Sequence, residues 1–130
     1  MAHAEEALYA KDRTEATSSL AIEGLSAFQS SLQDVIDAPG DLDAREASQK
    51  GAWACGTVLG QVGMALHHKL CHTLGGSLNL PHAETHAIIL PHATAYNLAA
   101  AKEEPERAAK PAHAAMVAEA RPPFRCPIQR

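Results

Sequence analysis

The chain has 130 residues, enough for one small domain. It is 46% hydrophobic but only 4% aromatic, and 27 residues are alanine, the best helix former, so an all-β fold is excluded and an all-α helical bundle is expected. A net charge of -4 with a pI near 6.0 argues against a nucleic-acid binder. No apolar run reaches the 18 or so residues of a membrane span, and the opening Met1-Ala-His-Ala-Glu-Glu has no signal-peptide pattern. Cys55, Cys71 and Cys126 form no CxxC pair, which points to free thiols in a reducing, cytoplasmic compartment.

Residues 3-10 read as the end of a helix that begins almost at Met1, so a segment upstream is expected to be missing. The next helix is predicted from about Thr14 to Asp37, with Ala21, Leu25, Phe28, Leu32 and Val35 recurring on one face. Asp37-Ala-Pro39-Gly40 stops it. A third helix is predicted to open at Asp41 or Asp43 and to run to about Leu66. Gly56, Gly60 and Gly63 within it suggest close approach of another backbone, a neighbouring helix before a bound cofactor. From His67 the chain can stay helical until Gly75-Gly76 ends it, and Pro81 suits the first turn of another helix. Pro91 is expected to kink that last helix without ending it, because apolar spacing continues to Tyr96.

The composition changes near Asn97. Residues 1–97 carry five Lys or Arg against eleven Asp or Glu, whereas 98–130 carry six against four. All eight glycines precede residue 77 and five of the eight prolines follow Asn97. Residues 1–97 are therefore expected to form the helical domain, and 98–130 a divergent Ala/Pro/charged tail, partly helical or disordered.

Six of the eight histidines lie between positions 67 and 92. His68 and His72 are four apart and share a helix face. His82 follows ten residues later, across a tight turn, where two helix ends can bring it to a common centre with His68. His3 is a further candidate from another helix. Imidazole is a common ligand for zinc and iron and the usual acid near neutral pH; the alternative is a set of hydrogen-bonded, half-buried histidines. His82 also falls in a first helical turn, where free amides favour an anionic group. His86, four after His82, can line the same pocket. His67, His92 and His113 read as structural, and Glu84 as a favourable acid in its helix's first turn. Cys71 and His72 are adjacent and diverge on a helix, so a cysteine nucleophile is not expected. No glycine-rich dinucleotide loop is present.

Three stretches carry a family resemblance. Gly51-Ala-Trp-Ala-Cys-Gly-Thr-Val-Leu-Gly60, Gly63-Met-Ala-Leu-His-His-Lys-Leu-Cys-His-Thr-Leu-Gly-Gly-Ser77 and Asn79-Leu-Pro-His-Ala-Glu-Thr-His-Ala-Ile-Ile-Leu-Pro-His92 together resemble the maleylacetate reductases. These belong to the iron-containing (group III) alcohol dehydrogenase superfamily. The resemblance covers about residues 1–97 and implies part of a dehydroquinate-synthase-like helical C-terminal domain, with the N-terminal α/β cofactor domain absent. It implies NAD(P)H-dependent reduction of maleylacetate to 3-oxoadipate in aromatic-compound catabolism, by a homodimeric enzyme with no nucleic-acid or membrane partner. His72 matches the histidine near the reacting carbonyl and nicotinamide, so the resemblance makes His72 and His82 the candidate catalytic residues, while no cofactor-binding residue is identified. His3, His68 and His82 match the histidines of the metal site used by Fe²⁺- or Zn²⁺-dependent relatives. Its Asp would fall upstream of Met1, and the reductases generally depart from that Asp and work without a metal. The chain alone is expected to be inactive, as a truncated gene, pseudogene product or frame-shifted end. A metal-dependent alcohol dehydrogenase fragment and an inactive helical remnant are the other readings.

Overall fold

The computed structural model describes residues 1–103, which form five α-helices and no strand: α1 (Ala2–Ala7), α2 (Glu15–Asp37), α3 (Leu42–Leu59), α4 (Leu66–Leu78) and α5 (His82–Glu103). The expected all-α class is observed. The tail expected over 98–130 lies outside the described residues from position 104 onward. Among the described residues, no helix is long and apolar enough to cross a membrane.

Local chemistry places α2 and the start of α3. Thr14 caps α2 by accepting from the Thr17 amide at 3.1 Å, while its own amide donates to Thr17 Oγ1 at 2.8 Å. Of the two candidate caps for α3, Asp41 is the one used, accepting from the Asp43 and Ala44 amides.

α2 and α3 pack along each other, α4 packs on α5, and α1 lies against α2, α3 and α4. α1 has only six residues, too few to be stable alone; it is helical because it is buried. Ala4, Ala7, Leu8 and Ala10 join Ala21, Leu25, Cys55, Val58 and Val62 in the main core. The apolar face predicted for α2 is buried at Ala21 and Leu25 but fades toward the C-terminus, where Ile36 is exposed.

Three expectations are corrected. α3 ends at Leu59 rather than near Leu66. Its last turn tightens, with the Gly60 and Gln61 amides donating to the Thr57 and Val58 carbonyls. The chain is then pulled aside by two distant carboxylates: Asp12 accepts from the Gly63 amide at 3.0 Å and Glu6 from the Ala65 amide at 3.0 Å. Secondly, Gly75-Gly76 does not end α4. The helix continues to Leu78 and stops at Asn79, which takes the left-handed conformation at φ 52°. α5 then runs unbroken across Pro91. Thirdly, close helix approach falls at Gly24 and Gly51, not at Gly56, Gly60 or Gly63. A Cβ on Gly24 would meet Cys55 Sγ at 2.8 Å and the Cys55 amide nitrogen at 3.1 Å, and one on Gly51 would meet the Gly24 carbonyl oxygen at 3.1 Å. Around Gly56 there is open space.

Opposite outcomes are expected at these two kinds of glycine. Gly24→Ala overpacks the α2–α3 contact and should destabilise by about 1–3 kcal/mol. Gly56→Ala removes a helix-interior glycine without a clash and should stabilise by about 0.5–1 kcal/mol. Urea unfolding of both variants checks the pair; the same sign for both would contradict this packing.

Candidate functional site

The site begins with a helix that lacks a cap. α4 opens after Ala65, which has no side chain able to accept from the free amides of the first turn. Glu6, on α1 and 1% exposed, takes that place. Its Oε1 accepts from the His67 amide at 2.7 Å and its Oε2 from the Ala65 amide at 3.0 Å. Oε2 also lies 2.6 Å from His68 Nδ1, and Tyr9 Oη donates to Oε1 at 3.2 Å. Burial pushes the Glu6 carboxyl up, but the amides and the His68 ring outweigh it and leave it below the usual carboxylate range. α5 is tied to α1 through Thr94, which donates to the Glu5 carboxylate, and to the residues just after α1 through Asn97, which donates to Tyr9 Oη at 3.0 Å.

An ionised carboxylate only accepts, so Nδ1 of His68 carries a proton and donates it to Glu6. His68 Nε2 is buried with no hydrogen-bond partner. His3 from α1 stacks on His68 with centroids 4.8 Å apart. His67, also buried, meets His86 of α5, with Nε2 and Nδ1 3.1 Å apart. His86 Nε2 and His67 Nδ1 are likewise buried nitrogens without a hydrogen-bond partner among the described residues. Outside this pair, His72 and His82 lie 6.1 Å apart, nearly parallel across the α4–α5 turn, and His82 is 4.2 Å from His86.

The structure thus gathers His3, His67, His68, His72, His82 and His86 into one run of ring contacts across α1, α4 and α5. His72 and His82 stand together at its exposed end, while His3 and His68 stack at its buried end. Ligand atoms converge within 4.8 Å in two groups, His72–His82–His86 and His67–Cys71–His86. His82 therefore groups with His72 and His86, whereas His3 is placed against His68. Cys71 contacts His67, one turn back, at 3.6 Å rather than its neighbour His72; burial pushes its thiol up, away from the thiolate a nucleophile needs. His92 and Glu84 are exposed. His113 and Cys126 lie outside the described residues. Glu6 is the functional residue that sequence reasoning missed; its signal is an acid three residues after His3, on the same helical face.

Burial, then the neighbouring rings, hold His86 down to about 4. Burial and the nearby His68 also lower His67 and His3. These rings are uncharged at neutral pH. Uncharged imidazoles with free lone pairs are the donor set that Fe²⁺ or Zn²⁺ takes, so the residues present fit a divalent metal.

The model of the C-terminal domain of the Fe-containing alcohol dehydrogenase family matches residues 1–121. The chain belongs to that family. The match extends past Asn97. A maleylacetate reductase of Rhizobium sp. (strain MTP-10005) is 64% identical over 96 residues, which are 74% of this chain and 27% of that protein. The crystal structure of maleylacetate reductase from the same strain superposes with a TM-score of 0.80 at 56% identity, over 89% of this chain and 32% of that one. An iron-containing alcohol dehydrogenase from Corynebacterium glutamicum superposes with a TM-score of 0.77 at 35% identity, over 90% of this chain and 32% of that one. The chain spans about a third or less of the length of these relatives.

Two outcomes follow from Glu6 and the neutral rings. Glu6→Ala strands buried amide donors and the His68 ring, and should cost about 3 kcal/mol, read as a lower denaturation midpoint. Acid should also destabilise the fold early. His86, His67 and His3 are depressed, so between the ordinary histidine value near 6.5 and about 4 the unfolded chain binds more protons. Stability is then full above pH 6.5 and falls as pH drops through this window, with Glu6 adding its loss below about 4.5. Glu5, raised by burial, works the other way. A denaturation midpoint flat from pH 7 to 5 would contradict this.

Proposed function

We propose that this chain is the helical C-terminal part of an NAD(P)H-dependent oxidoreductase that reduces maleylacetate to 3-oxoadipate in aromatic-compound catabolism. The reading takes the parent enzyme as a cytoplasmic homodimer, and the free, buried Cys55 and Cys71 agree with a reducing compartment. The observation that carries the assignment is the placement of His72 and His82 face to face across the α4–α5 turn, both open to solvent. Identity of 64% to a protein named maleylacetate reductase supports the substrate class.

The substrate is a dianion with an oxo group conjugated to the double bond. His82 is the first residue of α5, where free amides favour a carboxylate. His72, from α4, reaches the same space. In this reading the two imidazoles donate to the oxo and carboxylate oxygens. The nicotinamide, when bound, supplies the hydride. Hydride addition at the double bond moves negative charge onto the oxo oxygen as an enolate, and a fixed donor there stabilises it. An imidazole can then deliver the proton that completes the reduction at carbon. His86, Glu6 and His68 stay behind this front and hold it.

A metal-dependent alcohol dehydrogenase is the second reading, favoured by the buried, partnerless Nε2 of His68. By family resemblance His3, His68 and His82 would hold Fe²⁺ or Zn²⁺, which would polarise the carbonyl oxygen as a Lewis acid.

In a full-length maleylacetate reductase carrying this segment, His72→Ala and His82→Ala are each expected to lower turnover about 10²–10³-fold. His113→Ala should change little. Steady-state nicotinamide oxidation with maleylacetate measures all three. Near-normal turnover with both His72 and His82 replaced would overturn the assignment.

A further inference from the structure

We propose that His72, His82 and His86 form a three-histidine site for a first-row divalent cation such as Zn²⁺, with His67 as the outer partner that fixes His86. This set shares only His82 with the one the family resemblance implies, and it does not depend on the reductase reading.

Spacing comes first. His82 and His86 are four apart on α5 and share one face, and His72 meets them from the last turns of α4. One ring nitrogen from each lies within 4.8 Å of the other two. Tetrahedral zinc, with bonds of about 2.0–2.1 Å, needs its nitrogens roughly 3.4 Å apart. The difference is at most about 1.4 Å, and His72 and His82 are exposed side chains free to close it. His86 is the fixed member. Its Nδ1 is engaged by His67 Nε2 at 3.1 Å, while its Nε2 is buried with no partner. A cation at Nε2 would satisfy that nitrogen.

The His67 contact then acquires a direction. Ligation uses the Nε2 lone pair of His86, so Nδ1 keeps the proton and donates it to His67 Nε2. A metal-bound histidine commonly donates its other N–H in this way, and the partner sets both tautomer and ring angle. The second converging group, His67–Cys71–His86, is a poorer site. It would use the two nitrogens already bonded to each other, and it needs a thiolate where burial favours the thiol. The outer group offers three protein ligands and, because His72 and His82 face solvent, an open fourth position. That is the coordination pattern of reactive rather than structural zinc.

The test is metal titration of the full 130-residue chain freed of metal. Co²⁺ binding is followed by visible absorption, and Zn²⁺ affinity by competition with a chromophoric chelator. One equivalent should bind with roughly micromolar affinity, each open-site histidine contributing as an ordinary imidazole ligand. His72→Ala and His86→Gln should each weaken binding at least about 10-fold, and His67→Ala about 10-fold as the loss of an outer partner. His3→Ala should leave affinity unchanged. His72 is exposed, so its alanine variant leaves the core intact and decides the matter even if the His86 or His67 variant unfolds by circular dichroism. Binding lost in His3→Ala but kept in His72→Ala overturns the proposal in favour of the family set. No stoichiometric binding, or binding indifferent to His72, also overturns it. Neither result bears on turnover by the reductase, which the activity of the His72 and His82 variants reads separately.

Discussion

One buried carboxylate holds this part of the molecule together. Glu6 comes from a six-residue helix and accepts hydrogen bonds from the amides that open α4, from the His68 ring and from Tyr9. A buried charge is costly unless nearly every lone pair is used, and here nearly every one is. The arrangement performs two tasks at once. It caps α4 where Ala65 cannot, and it holds His68 with Nδ1 on the acid and Nε2 buried without a hydrogen-bond partner. Fold and site are therefore not separable at this point.

From Glu6 outward the chemistry changes by degrees. His68 is clamped by a charge, His67 and His86 hold each other, and His72 and His82 are free at the surface. Burial and the proximity of like groups keep His3, His67 and His86 neutral, since several imidazolium ions within a few ångströms would repel. A row of neutral imidazoles can accept or donate at each nitrogen according to what meets its open end. Such a front suits either an anionic substrate or a cation.

What was legible in the sequence was whatever is decided locally. Thr14 and Asp41 mark their helix starts because a cap acts over three residues, and the apolar period of α2 is visible within its own length. His68, His72 and His82 were readable from four-residue spacing and a turn. The end of α3 at Leu59 was not, because Asp12 and Glu6 decide it from 51 and 59 residues away. Gly75-Gly76 looked like a stop because glycine is a poor helix former, yet packing of α4 on α5 carries the helix to Asn79. The close-packing glycines were misplaced for the same reason. Nothing in the local sequence marks Gly24 or Gly51, since what matters is the residue facing each across the α2–α3 contact. The pairing of His67 with His86 spans 19 residues and two helices, and no periodicity announces it.

The placement of α1 explains why so short a helix is buried so deeply. α2 and α3 form one antiparallel pair and α4 and α5 another, and α1 contacts α2, α3 and α4 while Glu5 and Tyr9 reach α5. Its alanines Ala4 and Ala7, with Ala10 just beyond, let the flanking helices approach, and its polar residues His3, Glu5 and Glu6, with Tyr9 just beyond, face the α4–α5 pair. One face of α1 is thus core for the first pair and the other face is site for the second. A change in the angle between the pairs would move Glu6 relative to the α4 amides, and with it the ring of His68. The Glu6–His68 end of the histidine row therefore depends on where α2 and α3 seat α1, although neither helix contributes a histidine to it.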